Sequence, residues 1–161
     1  MADYWLDSNI FISSKNGPYG FDIAPGFWTF IEAEAHNGTI SSTTLVYQEL
    51  TYDNDDELST WVKQRRNLLF LEPDEAVQTT FSRIADYVKH RYDEANAAKF
   101  LGGADPWVIA HAGTHGGTVV TMEARVPSNS LKVKIPNVCD QFRVPSVGLY
   151  DMLRNLRASF G

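Results

Sequence analysis

Four carboxylates stand where chemistry could be assembled: Asp7, Glu49, Asp105 and Glu123. Asp7 sits inside Asp3-Tyr4-Trp5-Leu6-Asp7-Ser8-Asn9-Ile10-Phe11-Ile12, an apolar and aromatic run that reads as a buried first strand. An acid at the end of such a strand costs several kcal/mol to desolvate, roughly 2–7 even for an uncharged polar group, unless it is paired or bound to a cation. Glu49 lies in a short helical stretch, Asp105 opens the segment Gly102-Gly103-Ala104-Asp105-Pro106-Trp107, and Glu123 follows Thr118-Val119-Val120-Thr121. In a parallel α/β sheet, strand carboxyl ends and helix amino ends share one edge. Asp7, Asp105 and Glu123 would gather there, with Glu49 entering from its helix. Clustered carboxylates stay ionised only with cations between them. Oxygen-only ligation suits the hard ions Mg²⁺ and Mn²⁺, and the chemistry this supports is in-line displacement at phosphorus by a metal-activated water. Each acid also has an ordinary reading: Asp7 as a helix cap, Glu49 as a solvated helix residue, Asp105 as an N-cap, Glu123 as a turn acid.

The elements that must position these acids can be read in order. After the opening strand, Lys15–Asp22 is a Gly- and Pro-containing loop, and Pro25 starts a helix carrying Phe27, Phe30, Ile31 and Ala35 that stops at Asn37-Gly38. Ile40 is a short apolar link. Ser41–Thr44 offers N-caps for the helix that holds Glu49. The acids of 53–57 lack the glycine and the distal Glu of a calcium loop and suit the start of the helix around Leu58, Trp61 and Val62. Leu68–Leu71 reads as a short buried strand. Pro73-Asp74 opens one long helix whose pattern runs on past Lys89 and Arg91 to Asp93 and Glu94. Asp105 is an N-cap with Pro106 at the first helical position, and that helix closes at Gly116-Gly117. Thr118–Thr121 is a strand. Leu131, Val133 and Ile135 alternate with Lys132 and Lys134 as a hairpin-like edge. Pro136 starts a short helix, Val144–Val147 is a last strand, and Leu149–Leu156 a terminal helix. Strands alternating with helices predict an α/β fold with a central, mainly parallel sheet.

Bulk properties narrow the class. The 161 residues, 43% of them hydrophobic, suit a single domain over 1–161 with one core. Lone Cys139 allows no intramolecular disulfide and has no His motif around it. No leader and no membrane-length apolar run opens the chain, so the expected location is cytoplasmic and no membrane partner is expected. The net charge of −6 argues against simple electrostatic wrapping of nucleic acid, but bound metal would reverse the sign locally.

Taken together, the ordered motifs resemble the PIN-domain ribonucleases. Asp7-Ser8-Asn9 after an apolar strand is similar to their opening Asp-Thr/Ser-Asn/Ser motif, and Val46–Leu50 to their helix with the second acid. Ala104–Ala112 resembles their Asp-containing helix start, and Val119–Glu123 their strand ending in Thr-x-Asp. The match spans nearly the whole chain. The Ala-Asp-Pro-Trp helix and Ile135–Cys139 look like a toxin-like branch associated with type II toxin–antitoxin pairs. The resemblance implies a PIN-like three-layer fold and a Mg²⁺- or Mn²⁺-dependent endoribonuclease acting on RNA. It also implies a restraining antitoxin partner and is compatible with a homodimer. By carry-over, Asp7, Glu49, Asp105 and Glu123 would be catalytic and hold the metal, while Asn9 and Thr121 would orient ligands or water. One departure stands out: the fourth acid is Glu123 where the family usually has Asp, and Asp140 is an alternative fourth acid.

Other readings have weaker support. His111 and His115 are four apart, yet a zinc pair would want a third ligand, and last-turn histidines suit a helix C-terminus. A haloacid-dehalogenase-like, metal-dependent phosphatase would want an Asp two residues after Asp7, where Asn9 stands. A catalytically silent PIN-like interaction module would keep the acids without cleavage. Trp5, Trp28, Trp61 and Trp107 read as core. Lys63, Arg65 and Arg66, and Arg125, Lys132 and Lys134, could touch phosphates, with solvated faces the commoner explanation.

Overall fold

The computed structural model describes residues 2–160. Five parallel strands form one sheet: β1 (Tyr4–Leu6), β2 (Ile40–Thr43), β3 (Phe70–Leu71), β4 (Thr118–Val120) and β5 (Ser146–Val147), in the spatial order β3-β2-β1-β4-β5. The helices are α1 (Ser8–Asn16), α2 (Pro25–His36), α3 (Thr44–Thr51), α4 (Glu57–Gln64), α5 (Arg66–Leu69), α6 (Glu75–Arg91), α7 (Glu94–Leu101), α8 (Asp105–His115), α9 (Ile135–Gln141) and α10 (Leu149–Asn155). The expected α/β architecture, a central parallel sheet flanked by helices, is the one adopted.

The topology itself marks a site. From β1 the chain winds outward to β2 and β3, then returns to add β4 and β5 on the other side of β1. The connections after β1 and after β4 therefore leave in opposite directions, which opens a crevice at the carboxyl ends of the strands. β1 is the central strand, pairing Trp5 with Ser41 on one side and with Val119 on the other. Trp5 is fully buried and stacks on His111 of α8 at 4.8 Å between ring centroids. Helix α8 packs against β1, β2 and β4 and against α6. Its position relative to the sheet is thus keyed to the aromatic residue of the central strand.

Several expected elements take another form. The opening strand is only Tyr4–Leu6, because Asp7 turns the chain into α1: its Oδ1 accepts from the Ile10 backbone N–H at 3.1 Å. An apolar run has no period of its own, and a cap decides where it becomes helical. Ile40 opens a real strand of four buried residues rather than a link, and Thr43 caps the helix that follows. The long helix breaks at Tyr92, because Asp93 caps a second helix through the Asn96 N–H. Asp105 is not a cap; Ala104 holds that position and Asp105 is the first helical residue. The alternating stretch before Ile135 forms no strand. β5 already occupies the edge beside β4, Leu131 is 70% exposed, and Ile135 is buried as the first residue of α9. Asp56 caps α4 through the Ser59 N–H, in line with the helix-start reading of that acidic stretch.

The turn from α8 into β4 is tight. Gly116 adopts φ +75° at the helix end, and at Gly117 an added Cβ would lie 2.7 Å from the Trp5 ring and 3.0 Å from the Ala2 carbonyl oxygen. With Trp5 wholly buried, neither neighbour can yield cheaply. Gly117→Ala is expected to cost about 1–3 kcal/mol by overpacking. A urea unfolding midpoint equal to wild type would refute this account of the turn.

Candidate active site

Asp7 leaves β1 at the centre of the crevice. Its backbone N–H donates to the Val120 carbonyl at 3.2 Å, and the preceding Leu6 carbonyl accepts from Ser42 Oγ at 2.6 Å. The main chain is therefore held from both neighbouring strands. Of its two carboxylate oxygens, Oδ1 takes the Ile10 N–H and Oδ2 takes the Thr121 hydroxyl at 2.7 Å. The cap reading of Asp7 therefore holds, and its second oxygen is tied to Thr121 just after β4. Burial pushes its carboxyl up to about 6, against the lowering effect of the Thr121 and Ile10 bonds. A shift of that size is worth about 3 kcal/mol, so desolvation outweighs the two hydrogen bonds.

Thr121 has a second task. While donating to Asp7, its oxygen accepts from the Glu123 N–H at 3.1 Å, a local turn that directs the chain after β4. Glu49 is tied to two other elements: Ser8 Oγ donates to its Oε1 at 2.5 Å, and the Ala104 N–H donates to its Oε2 at 3.3 Å. The acid from α3 thereby joins the starts of α1 and α8. Asp105 is raised to about 7, first by burial and then by the charges of Asp7, Glu123 and Glu49, while Lys134 opposes the shift. Three acids far apart in sequence thus act on Asp105, and Glu123 also acts on Asp7.

Glu123 differs from the other three. Its Oε1 accepts from the Ile135 N–H at 2.8 Å, and its Oε2 lies 3.7 Å from Lys134 Nζ. Asp140, the alternative fourth acid, is exposed and gripped by Arg125 at 2.5 and 2.8 Å, which holds its carboxyl below the usual range. Asn9 is exposed on the rim. Its neighbours in an open cleft of about 630 Å³ include Ser8, Glu49, Tyr52 and Asp105. A second cleft of about 500 Å³ runs from Thr121 and Glu123 to Arg125, Tyr150 and Arg154. Ser8 is the side chain to which sequence reasoning gave no site role, although its place between Asp7 and Asn9 made it accessible; Lys134 was among the cations that could touch phosphates, but nothing in the spacing singled it out from Arg125 and Lys132.

Among the described residues, no three His, Cys, Asp or Glu side chains form a ready coordinating group. The donor set still fits a hard divalent cation in kind. It is made of carboxylates, two of them desolvated without a cationic partner of their own, and Asp7 uses only one hydrogen bond per oxygen. His111 is no ligand candidate. It is buried, Nε2 lies 3.1 Å from Thr43 Oγ1, and burial with nearby His115 lowers it to about 4, so it is neutral rather than a last-turn cation. Cys139 is buried with its thiol pushed up to about 12, and is inert core. Trp5, Trp28 and Trp61 are buried, and half-buried Trp107 stacks on Phe81 at 3.9 Å. No helix among the described residues is long and apolar enough to cross a membrane.

Comparison with known families is decisive at the level of sequence: residues 4–160 match the family described as "Domain of unknown function (DUF4411)". The chain belongs to that family. No curated protein matches its sequence. Among solved structures, the fold is similar to VapBC2 from Rickettsia felis bound to a DNA fragment from their promoter. That match has a TM-score of 0.54 and 16% identity, covering 90% of this chain and 97% of the other. It is also similar to FitAcB from Neisseria gonorrhoeae (0.51, 18%, 89% and 95%) and to FitAB bound to IR36 DNA fragment (0.51, 18%, 90% and 94%). At such identities the likeness establishes the fold, the PIN-like arrangement expected from the sequence.

The raised carboxyls fix a pH dependence. Asp7 and Asp105 bind protons more tightly folded than unfolded, so the folded form takes up protons between about pH 4 and 7. Stability of the metal-free protein therefore falls as pH rises through that window. Asp105→Asn in EDTA is expected to be more stable than wild type at pH 8, by about 1–3 kcal/mol with allowance for partial exposure, and to lose that advantage near pH 4. Urea unfolding at the two pH values measures it; a mutant less stable than wild type at pH 8 would exclude the uncompensated charge.

Proposed function

We propose that this chain is a single nuclease domain over 1–161 that hydrolyses RNA phosphodiester bonds with Mg²⁺ or Mn²⁺. The observation that supports the reading is that Asp105, raised first by burial, is pushed up further by the charges of Asp7, Glu123 and Glu49, to about 7. Asp7, Glu49 and Asp105 are the residues that would hold the cation, and Glu123 adds negative charge to the cup. Bound there, the cation would supply an activated water and stabilise the leaving oxygen.

The chain's own residues do the positioning. Thr121 and the Ile10 N–H fix the direction of the Asp7 oxygens, and Ser8 does the same for Glu49. A site built on strand ends and helix starts loses little entropy when it engages a ligand. The acids line two open clefts, one containing Asp105 and Glu49, the other Thr121 and Glu123. A single strand crossing from one to the other would bring a phosphate over the carboxylates. Asn9 on the rim is suited to orienting water or substrate.

The structural relatives are complexes, VapBC2 and FitAB, which supports a protein partner for this chain. We take that partner to be an antitoxin that restrains a cytoplasmic toxin, with pairing of the chain into a homodimer. A catalytically silent module would bind cation and partner without cleaving.

RNA cleavage is expected with Mg²⁺ or Mn²⁺ and not in EDTA. Asp7→Asn and Asp105→Asn are each expected to lower the rate by more than about 100-fold, beyond the 10–100-fold typical of losing a ligand's supporting partner. Equal rates in all three proteins, with or without EDTA, would sink the reading.

A further inference from the structure

The fourth corner of the site is built differently from the other three. The partners of the Glu123 carboxylate lie at the start of α9, not on the elements that hold Asp7 and Glu49. One oxygen caps the backbone at Ile135, the first residue of α9, and the other faces Lys134 Nζ at 3.7 Å. Both side chains of the pair are half-buried, which sets it apart from the exposed Arg125–Asp140 pair. Among the described residues, Glu123 is the sole ion-pair partner of Lys134. The Glu123 backbone is itself fixed by Thr121, which also holds Asp7. A continuous chain of contacts therefore runs from the central carboxylate through Thr121 and Glu123 to the ammonium group. Lys134 also acts electrostatically on Asp105, at the heart of the cup.

We propose that Glu123 is a positioning residue and that Lys134, which it steers, contacts a phosphate of the substrate strand beside the three-acid centre. This rests on the nuclease reading and assigns the fourth corner to substrate rather than to metal. The extra methylene of Glu over Asp lets the carboxylate span from the end of β4 to the start of α9, where the ammonium stands. A flexible point charge with three donors is suited to a phosphate oxygen. It also answers a need of the chain, whose net charge of −6 otherwise repels a polyanion.

Two measurements on the full chain separate this from its rivals: Mn²⁺ affinity by calorimetry, and binding of a short fluorescent single-stranded RNA in Ca²⁺ as a function of salt. Lys134→Met is expected to weaken RNA about tenfold, reduce the salt slope by about 0.7, and leave Mn²⁺ affinity within about twofold of wild type. Lys134→Arg is expected to restore most of the RNA affinity. Glu123→Gln, which retains an oxygen for Ile135, is expected to weaken RNA as Lys134→Met does while still binding Mn²⁺, unlike Asp105→Asn. In cleavage assays both variants raise KM more than they lower kcat. The assignment is overturned if Lys134→Met binds RNA with wild-type affinity and salt slope, or if Glu123→Gln loses Mn²⁺ as Asp105→Asn does. Either result leaves the nuclease reading standing when wild type cleaves. Wild-type protein that binds Mn²⁺ but no RNA overturns both.

Discussion

Everything at the crevice depends on a carboxylate placed where water is scarce. Asp7 ends the central strand of a parallel sheet, with the main chain bonded to both neighbouring strands. Two hydrogen bonds to the charge, each worth about 1.5–3 kcal/mol, do not offset the desolvation, since its carboxyl remains near 6. The protein thus carries a deficit of positive charge at the end of its central strand. That deficit is greatest with Asp7 and Asp105 both ionised, and the proposed divalent cation would relieve it. Structure and binding are two aspects of one constraint here: the Ile10 N–H that starts α1 and the Thr121 hydroxyl that closes the turn after β4 both take their geometry from the same carboxylate.

The other acids enter this arrangement by different routes. Glu49 is fixed through Ser8, the residue after Asp7, and through the backbone at Ala104, the residue before Asp105. One side chain therefore sets the spacing between the helices that carry its two partners. Asp105 has no such restraint; it sits in the first turn of α8, where the helix dipole favours an acid but neighbouring charges oppose it. This division leaves two acids oriented by hydrogen bonds and one whose protonation responds to what is bound.

Much of this was legible in the sequence, and the gaps have physical causes. The α/β class and the order of the acids followed from alternating apolar segments and from Asp, Pro and Gly at segment ends. The length of β1 did not, because an apolar run reads alike as strand or helix and only the Asp7 hydrogen bond to Ile10 decides between them. The alternating Leu131, Val133 and Ile135 were misleading for a different reason. Alternation describes a surface, and here β5 lies beside β4 while Leu131 is 70% exposed and Ile135 is buried as the start of α9. His111 looked like a last-turn cation because helix position is visible in sequence while burial against Trp5 is not. Contacts such as Thr121 with Asp7 span 114 residues, and no local pattern encodes them.

The Glu at position 123 is the point where motif and geometry diverge. As a motif it is an acid in the right place, one methylene longer than expected. In the fold that longer side chain reaches the start of α9, where its carboxylate meets the Ile135 N–H and the Lys134 ammonium. Under the proposed assignment, Glu in this place conserves charge and yet gives three negatives flanked by a positive group rather than four converging negatives. For the proposed RNA substrate, a polyanion, that redistribution would bear on how the strand is held as much as on how a cation is bound.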